Sequence, residues 1–289
     1  VAKYKIGITE AGDAGIDLSW TSKINQIDGA ILITKCVSPD FYNAALKYKD
    51  KVIIHTTFTG FGYSVLEPFV PAPYDEFDAI TTLVGGGFPK SKIVVRIDPI
   101  IPTKKGIETA KNVFLTFIDH GFNRFRISLI DMYPHVRRRF KNAGLPLPYG
   151  ENGFVPDKQQ IAQVDQMLRE VKSYFSNSRP LDSIRIESCA EPGLTETIQC
   201  GCISSYDLEL LCLHDDNADQ YGFQRKNYGL EVRCRRLLAG GVILASWNYS
   251  IKSIHALTNV CIAIGDILGG KKAIAEISQI CEVISNALL

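Results

Sequence analysis

The chain has 289 residues, 46% of them hydrophobic and 22% charged, with a formal net charge of +1. That length fits one large domain or two small ones around a sizeable core, and the near-neutral charge points away from nucleic acid and membrane surfaces as partners. No apolar run reaches the roughly 18 residues of a membrane span, the opening VAKYKIGITE has no signal-peptide core, and eight cysteines without a C-x-x-C pair read as reduced thiols, so a cytoplasmic location is expected.

In chain order, Tyr4 to Thr9 reads as a short strand that enters a polar loop holding Glu10, Asp13 and Asp17 and closed by Trp20. Ile27 to Thr34 is the second strand. Ser38-Pro39-Asp40 opens a helix near Phe41 to Tyr48, with proline early and Asp40 available as a cap. Lys51 to Thr57 is the third strand, and it ends in His55, Thr56 and Thr57. Glu67-Pro68-Phe69-Val70-Pro71 is a stiff connector. Asp75 to Leu83 is a weak helix stopped by Gly85-Gly86-Gly87. These glycines precede a strand, whereas phosphate-cradling glycines follow one and open a helix, so they read as a helix end.

The fourth strand, Ile93 to Asp98, is apolar on entry and stops at Pro99. It places Arg96 and Asp98 on one face, because strand side chains alternate with period two. Charges at the end of a buried strand are either paired or facing a wet cavity. A helix follows, with Ile107, Ala110, Val113, Phe114, Phe117 and Ile118 on one side and His120-Gly121 at its end. The fifth strand, Phe125 to Ile130, leads into Asp131. Arg137-Arg138-Arg139 reads as a solvated turn. Gly144 to Pro156 is a long Pro/Gly loop of the kind that forms lids, binding loops or insertions. Asp157 then caps a helix with Gln160 as its box partner, and Ile161, Val164, Met167, Leu168, Val171 and Phe175 form its buried stripe. The sixth strand, Ser183 to Glu187, ends toward Cys189 and Glu191.

Strands alternating with helices and lacking hairpin signals predict an α/β fold with a parallel sheet and crossover helices. Each strand enters apolar and exits polar. Without a dinucleotide fingerprint, this favours a (β/α) TIM-like barrel, complete or incomplete, over a Rossmann sheet. In such folds the site sits at the C-terminal strand ends. The candidate ligand-binding residues are therefore His55, Arg96, Asp98, Asp131, Glu187 and Glu191.

Several stretches together carry a resemblance: GITEAGDAGIDLSW at 7–20, DGAILITK at 28–35, VIIHTTFTG at 52–60, EPFVP at 67–71, VVRIDPIIPT at 94–103, FRISLIDMYPHVRRRF at 125–140, IESCAE at 186–191 and GCIS at 201–204. Over about residues 4 to 227 the chain resembles the family called domain of unknown function 1848, and RIDPIIP also resembles the barrel of spore-photoproduct-lyase-like radical enzymes. The resemblance implies a TIM-barrel-like fold with a C-terminal cysteine cluster. Three thiolates would hold a [4Fe–4S] cluster, S-adenosylmethionine would take the open iron, and reductive cleavage would yield a 5′-deoxyadenosyl radical. The chain departs from that pattern after Asn227. It reads Tyr228-Gly229-Leu230, and Cys234 is the lone thiol between Cys212 and Cys261. Divergence, replacement of the tail and a reading-frame change each account for the break.

The sequence thus divides at 227/228 into a barrel region, 1–227, and an apolar, mainly helical C-terminal segment, 228–289, that packs on the barrel. Three functions stand side by side: a radical-type enzyme, a cluster-free barrel, and a non-catalytic scaffold whose tail forms an oligomer interface. The cluster-free barrel would bind or hydrolyse a small anionic ligand, with Asp98, Asp131, Glu187 and Glu191 available to a divalent cation. Cys189, Cys200 and Cys202 match no standard metal-ligand spacing.

Overall fold

The structure, a computed structural model, describes residues 4–213 apart from positions 11, 180, 190, 192 and 202, and of Cys189 the backbone alone. The boundary expected at 227/228 and the helical segment beyond it lie outside the described residues, as do Cys234, Cys261 and Cys281.

Seven parallel strands form one curled, half-barrel sheet whose spatial order is the order of the chain. They are β1 (Ile6–Ile8), β2 (Gly29–Thr34), β3 (Val52–Thr57), β4 (Ile93–Ile100), β5 (Arg124–Leu129), β6 (Arg185–Cys189) and β7 (Ile198–Cys200). Helices α1 (Pro39–Lys47), α2 (Pro73–Gly85), α3 (Lys104–Asp119), α4 (Pro134–Asn142) and α5 (Lys158–Ser178) lie in the connections between strands β2 and β6. Between β1 and β2 the connection carries only short 3-10 turns, Leu18–Ser22 and Ile24–Gln26.

Alternation along each strand divides the sheet into two faces. One face packs on the helices. Leu32, Ile54, Val95, Ile97, Phe125, Ile127 and Ile186 join the α3 stripe (Val113, Phe114, Phe117) and the α5 stripe (Val164, Leu168, Val171) in one buried cluster. Phe117 is its aromatic hub, with Phe58, Phe77 and Phe122 edge-on at 5.0 to 5.2 Å between ring centroids. The concave face begins with Ile31, Ile53 and Val94. On these pack Ile203, Leu208 and Leu211 from a sixth helix, α6 (Ser205–Leu210), and its flanks.

The caps explain several boundaries. α1 is capped by Ser38, which accepts from the Phe41 amide, and Asp40 sits in the first turn instead of capping. Thr103 caps α3, and Asp157 and Gln160 form the expected capping box of α5. β4 continues past Pro99 to Ile100 through a register shift between Ile97 and Ile100, and the Asp98–Pro99 peptide is cis. The arginine run is not a solvated turn. It lies on α4, where Arg137 donates to the carbonyls of Gly150, Glu151 and Gly153 and Arg139 to that of Leu66. No described helix is long and apolar enough to cross a membrane.

Candidate functional site

Register places the polar side chains of the concave face in layers. His55 aligns with Val94 on the neighbouring strand, Thr57 with Arg96, Arg96 with Arg126, and Arg126 with Glu187. The inner layers are closed. Arg126 meets Glu187 at 2.5 Å and Asp207 at 3.3 Å, while Arg124 meets the other Asp207 oxygen at 2.6 Å. Arg185 completes the set by donating through Nε to Glu187 at 2.6 Å. Asp207 comes from α6, where it and Ser204 form a capping box. It is fully buried. Burial opposes its ionisation, but Arg126 and Arg124 hold the carboxyl well below the ordinary carboxylate range.

His55 stands among these charges. Burial, and then Arg126 beside it, lowers the imidazole well below its ordinary value, and its Nε2 is buried without a hydrogen-bond partner. Of the six expected site residues, His55 and Glu187 therefore belong to the buried ionic layers. Glu187 is committed to two arginines and is not positioned with Asp98 and Asp131 as a cation ligand. Among the described residues, no three His, Cys, Asp or Glu side chains form a metal-binding group.

The outer layer, toward the C-terminal strand ends, is partly exposed. Arg96 donates through Nε to Asp98 at 2.6 Å, and the Ser128 hydroxyl donates to the other Asp98 oxygen. Burial alone would raise the Asp98 carboxyl, yet Arg96, Ser128 and the more distant Lys35 bring it below its ordinary value. Asp131 is half-buried. Burial raises its carboxyl and nearby Asp98 adds to the rise, against a hydrogen bond from Tyr133. Glu191 accepts from the Leu129 amide at 2.8 Å. Tyr149, on the long loop, donates to the Ile130 carbonyl at 2.8 Å, and its phenol is raised by burial and by the charges of Asp131 and Glu191. The long loop, expected as a lid, a binding loop or an insertion, lies against the strand ends, packed by Leu145, Leu147 and Tyr149 on Ile101, Ile130 and Met132.

On the other flank, Lys35 follows β2 directly. Its backbone N–H donates to Asp13 at 2.7 Å, and its ammonium pairs with Glu67. The second Glu67 oxygen accepts from the Thr59 hydroxyl. Lys35, Ser128, Thr59, Asp207 and Tyr149 all lie outside the six residues expected from the sequence. Asp207 had a readable signal, the Ser204-x-x-Asp207 capping spacing.

A family model described as Domain of unknown function (DUF1848) matches residues 18–236, most of the chain. The chain belongs to the DUF1848 family. No curated protein and no solved structure matches it.

The resemblance described from the sequence implies an iron–sulfur cluster, which the described cysteines can be tested against. Three thiolates on one iron–sulfur core must converge. Cys36 lies at the end of β2, where burial and then the carboxylates of Glu76 and Asp13 raise the thiol and oppose the thiolate a cluster needs. Cys212 lies just past α6, whose flank Leu211 packs toward the first residue of β2, at the opposite end of that strand. Cys200 is on the edge strand β7. The thiols described here do not fit the cluster, and no chemical step is derived through it.

Proposed function

We propose that this protein binds a small polar ligand at the C-terminal ends of its strands, within a TIM-like (β/α) barrel of which the curled parallel sheet is the larger part. One observation carries the reading. The pairs Lys35–Glu67 and Arg96–Asp98 stand at the ends of β2 and β4, close enough that Lys35 helps to lower the Asp98 carboxyl. Two further carboxylates, Asp131 and Glu191, complete the opposite side. A ligand with an oxyanion would be met by the two cations, and its hydroxyl or amine groups by the carboxylates. The inner layers, filled by ion pairs, supply rigidity beneath this mouth. A cytoplasmic setting belongs to the same reading and is supported by Cys36, Cys200 and Cys212, none of which is in a disulfide.

The test is calorimetric titration with inorganic phosphate and with succinate as probes. Binding to the wild-type protein, weakened about tenfold or more in Arg96→Gln and altered in Asp98→Asn, is the expected result, since a charge-assisted contact is worth more than about 1.4 kcal/mol. No binding of either anion, or binding indifferent to Arg96, overturns the proposal. The radical chemistry that the resemblance implies has its own readout in the iron and acid-labile sulfide content of anaerobically purified protein. About four irons per chain would restore it, by the stoichiometry of the cluster.

A further inference from the structure

Glu67 joins two neighbouring strand ends through one carboxylate. Its two carboxylate oxygens divide between Lys35 Nζ at the end of β2 and Thr59 Oγ1 just past β3. Both donors come from strand ends or the residues that follow them, on the rigid sheet. The acceptor comes from a surface strap, residues 60–71. Thr59 is buried, and the Glu67 side chain is 12% exposed. A cation and a hydroxyl from neighbouring strands, aimed at one carboxylate, form a small oxyanion receptor.

The strap is folded on itself more than on the protein. The Tyr63 amide donates to the carbonyls of Glu67 and Val70, the Glu67 amide to Ser64 and the Val70 amide to Glu67. Tyr63 holds a left-handed backbone at φ 56°, which costs a non-glycine residue energy and persists only where the surroundings impose it. Phe61 and Leu66 pack inward beside the long loop. Tyr63, Val65 and Phe69 face solvent at 79%, 63% and 97% exposure. The strap thus exposes three large apolar side chains, is held by Phe61, Leu66 and the Arg139 bond to the Leu66 carbonyl, and reaches the ends of β2 and β3 through the Glu67 carboxylate.

We propose that Lys35 and Thr59 form the oxyanion subsite of the mouth, that its ligand is a carboxylate-bearing small molecule, and that Glu67 is a resident stand-in which the ligand's carboxylate displaces, releasing the strap. This rests on the proposed ligand site and adds which cation takes the anion and what must leave. The exchange replaces one carboxylate with another on the same donors, so the Lys35 charge is never left bare. Rehydration of the released Glu67 offsets the dehydration of the incoming carboxylate.

The test compares succinate binding to the wild-type protein, Glu67→Gln and Lys35→Met, and follows hydrogen exchange of the strap amides of Tyr63, Glu67 and Val70. Glu67→Gln removes the competing charge but keeps the shape, so succinate should bind it about tenfold more tightly than wild type. In wild type, succinate should speed exchange across the strap, and Lys35→Met should abolish both effects. If Glu67→Gln binds no better while binding still depends on Arg96, the displacement model is overturned and the mouth stands. If no variant binds succinate or phosphate, both proposals fall.

Discussion

Arg124 and Asp207, 83 positions apart in the chain, meet at 2.6 Å inside the half-barrel with almost no exposure to solvent. This pair and its companion Arg126–Asp207 tie α6 to the middle of the sheet. Asp207 is also bonded by the amide and hydroxyl of Ser204, so one carboxylate caps a helix and bridges two guanidinium groups. Removing one member of such a set strands buried charge. Asp207→Ala should therefore cost about 3 to 5 kcal/mol in urea unfolding.

The same carboxyl sets an acid limb. Its folded value lies below its unfolded one, so its contribution is fully present above about pH 4 and is lost as pH falls further. Asp207→Asn should flatten the stability profile below about pH 4. An unchanged acid limb would show that another group controls it.

Glu76 gives the opposite slope. It is buried on α2 and uses both oxygens, each at 3.1 Å, to accept from the Val37 amide. Burial raises its carboxyl to about 8, with Asp13 adding to the rise and the Val37 bond opposing it. The folded protein keeps a proton that the unfolded chain releases above 4.5, so stability should fall as pH rises from there to about 8 and level off beyond. Glu76→Gln should remove this slope, and its advantage over wild type should grow through that window. Thermal melts at fixed ionic strength would show it.

Gly15 sits where a methyl group would overlap the Cys36 carbonyl and the Thr34 hydroxyl. That hydroxyl also bonds Asp13, which holds the Lys35 amide. Gly15→Ala should cost about 2 kcal/mol or more, as backbone overlap of this kind does, and should weaken anion binding through Lys35. Urea unfolding and succinate titration read the two effects separately.

Tyr149→Phe removes the hydrogen bond that joins the long loop to Ile130. The loss should be about 1 kcal/mol. Because the loop keeps its apolar packing, the change should appear as faster hydrogen exchange around 145–155 before it appears in global stability.

Much of the architecture was legible because each strand-helix unit is local. The Ile107 to Ile118 stripe and the Asp157–Gln160 box contain their own instructions, and both stand in the structure as read. Six strands were visible in the sequence, while β7 was not, since a three-residue edge strand such as Ile198–Cys200 carries too short a pattern. For the site, alternation placed Arg96 and Asp98 together, and they meet. What alternation could not distinguish was depth. His55, Glu187, Asp98 and Asp131 all sit at or just past strand ends in the sequence, but register and the arrival of α6 decide which are sealed and which stay partly exposed. Glu67 escaped notice because a stiff Pro-flanked connector gives no sign of where its carboxylate will land.

The order of the strands has a consequence for how the chain assembles. Each strand from β2 to β7 pairs with the one made just before it, so the sheet can grow as the chain leaves the ribosome. Its concave side cannot finish in the same way. Ile31, Ile53 and Val94 wait for Leu208 and Leu211, and two guanidinium groups wait for Asp207. Until that late helix arrives, the nascent protein carries an apolar surface beside unneutralised charge, the kind of face that chaperones recognise. Docking of α6 is thus the step that covers this face of the sheet.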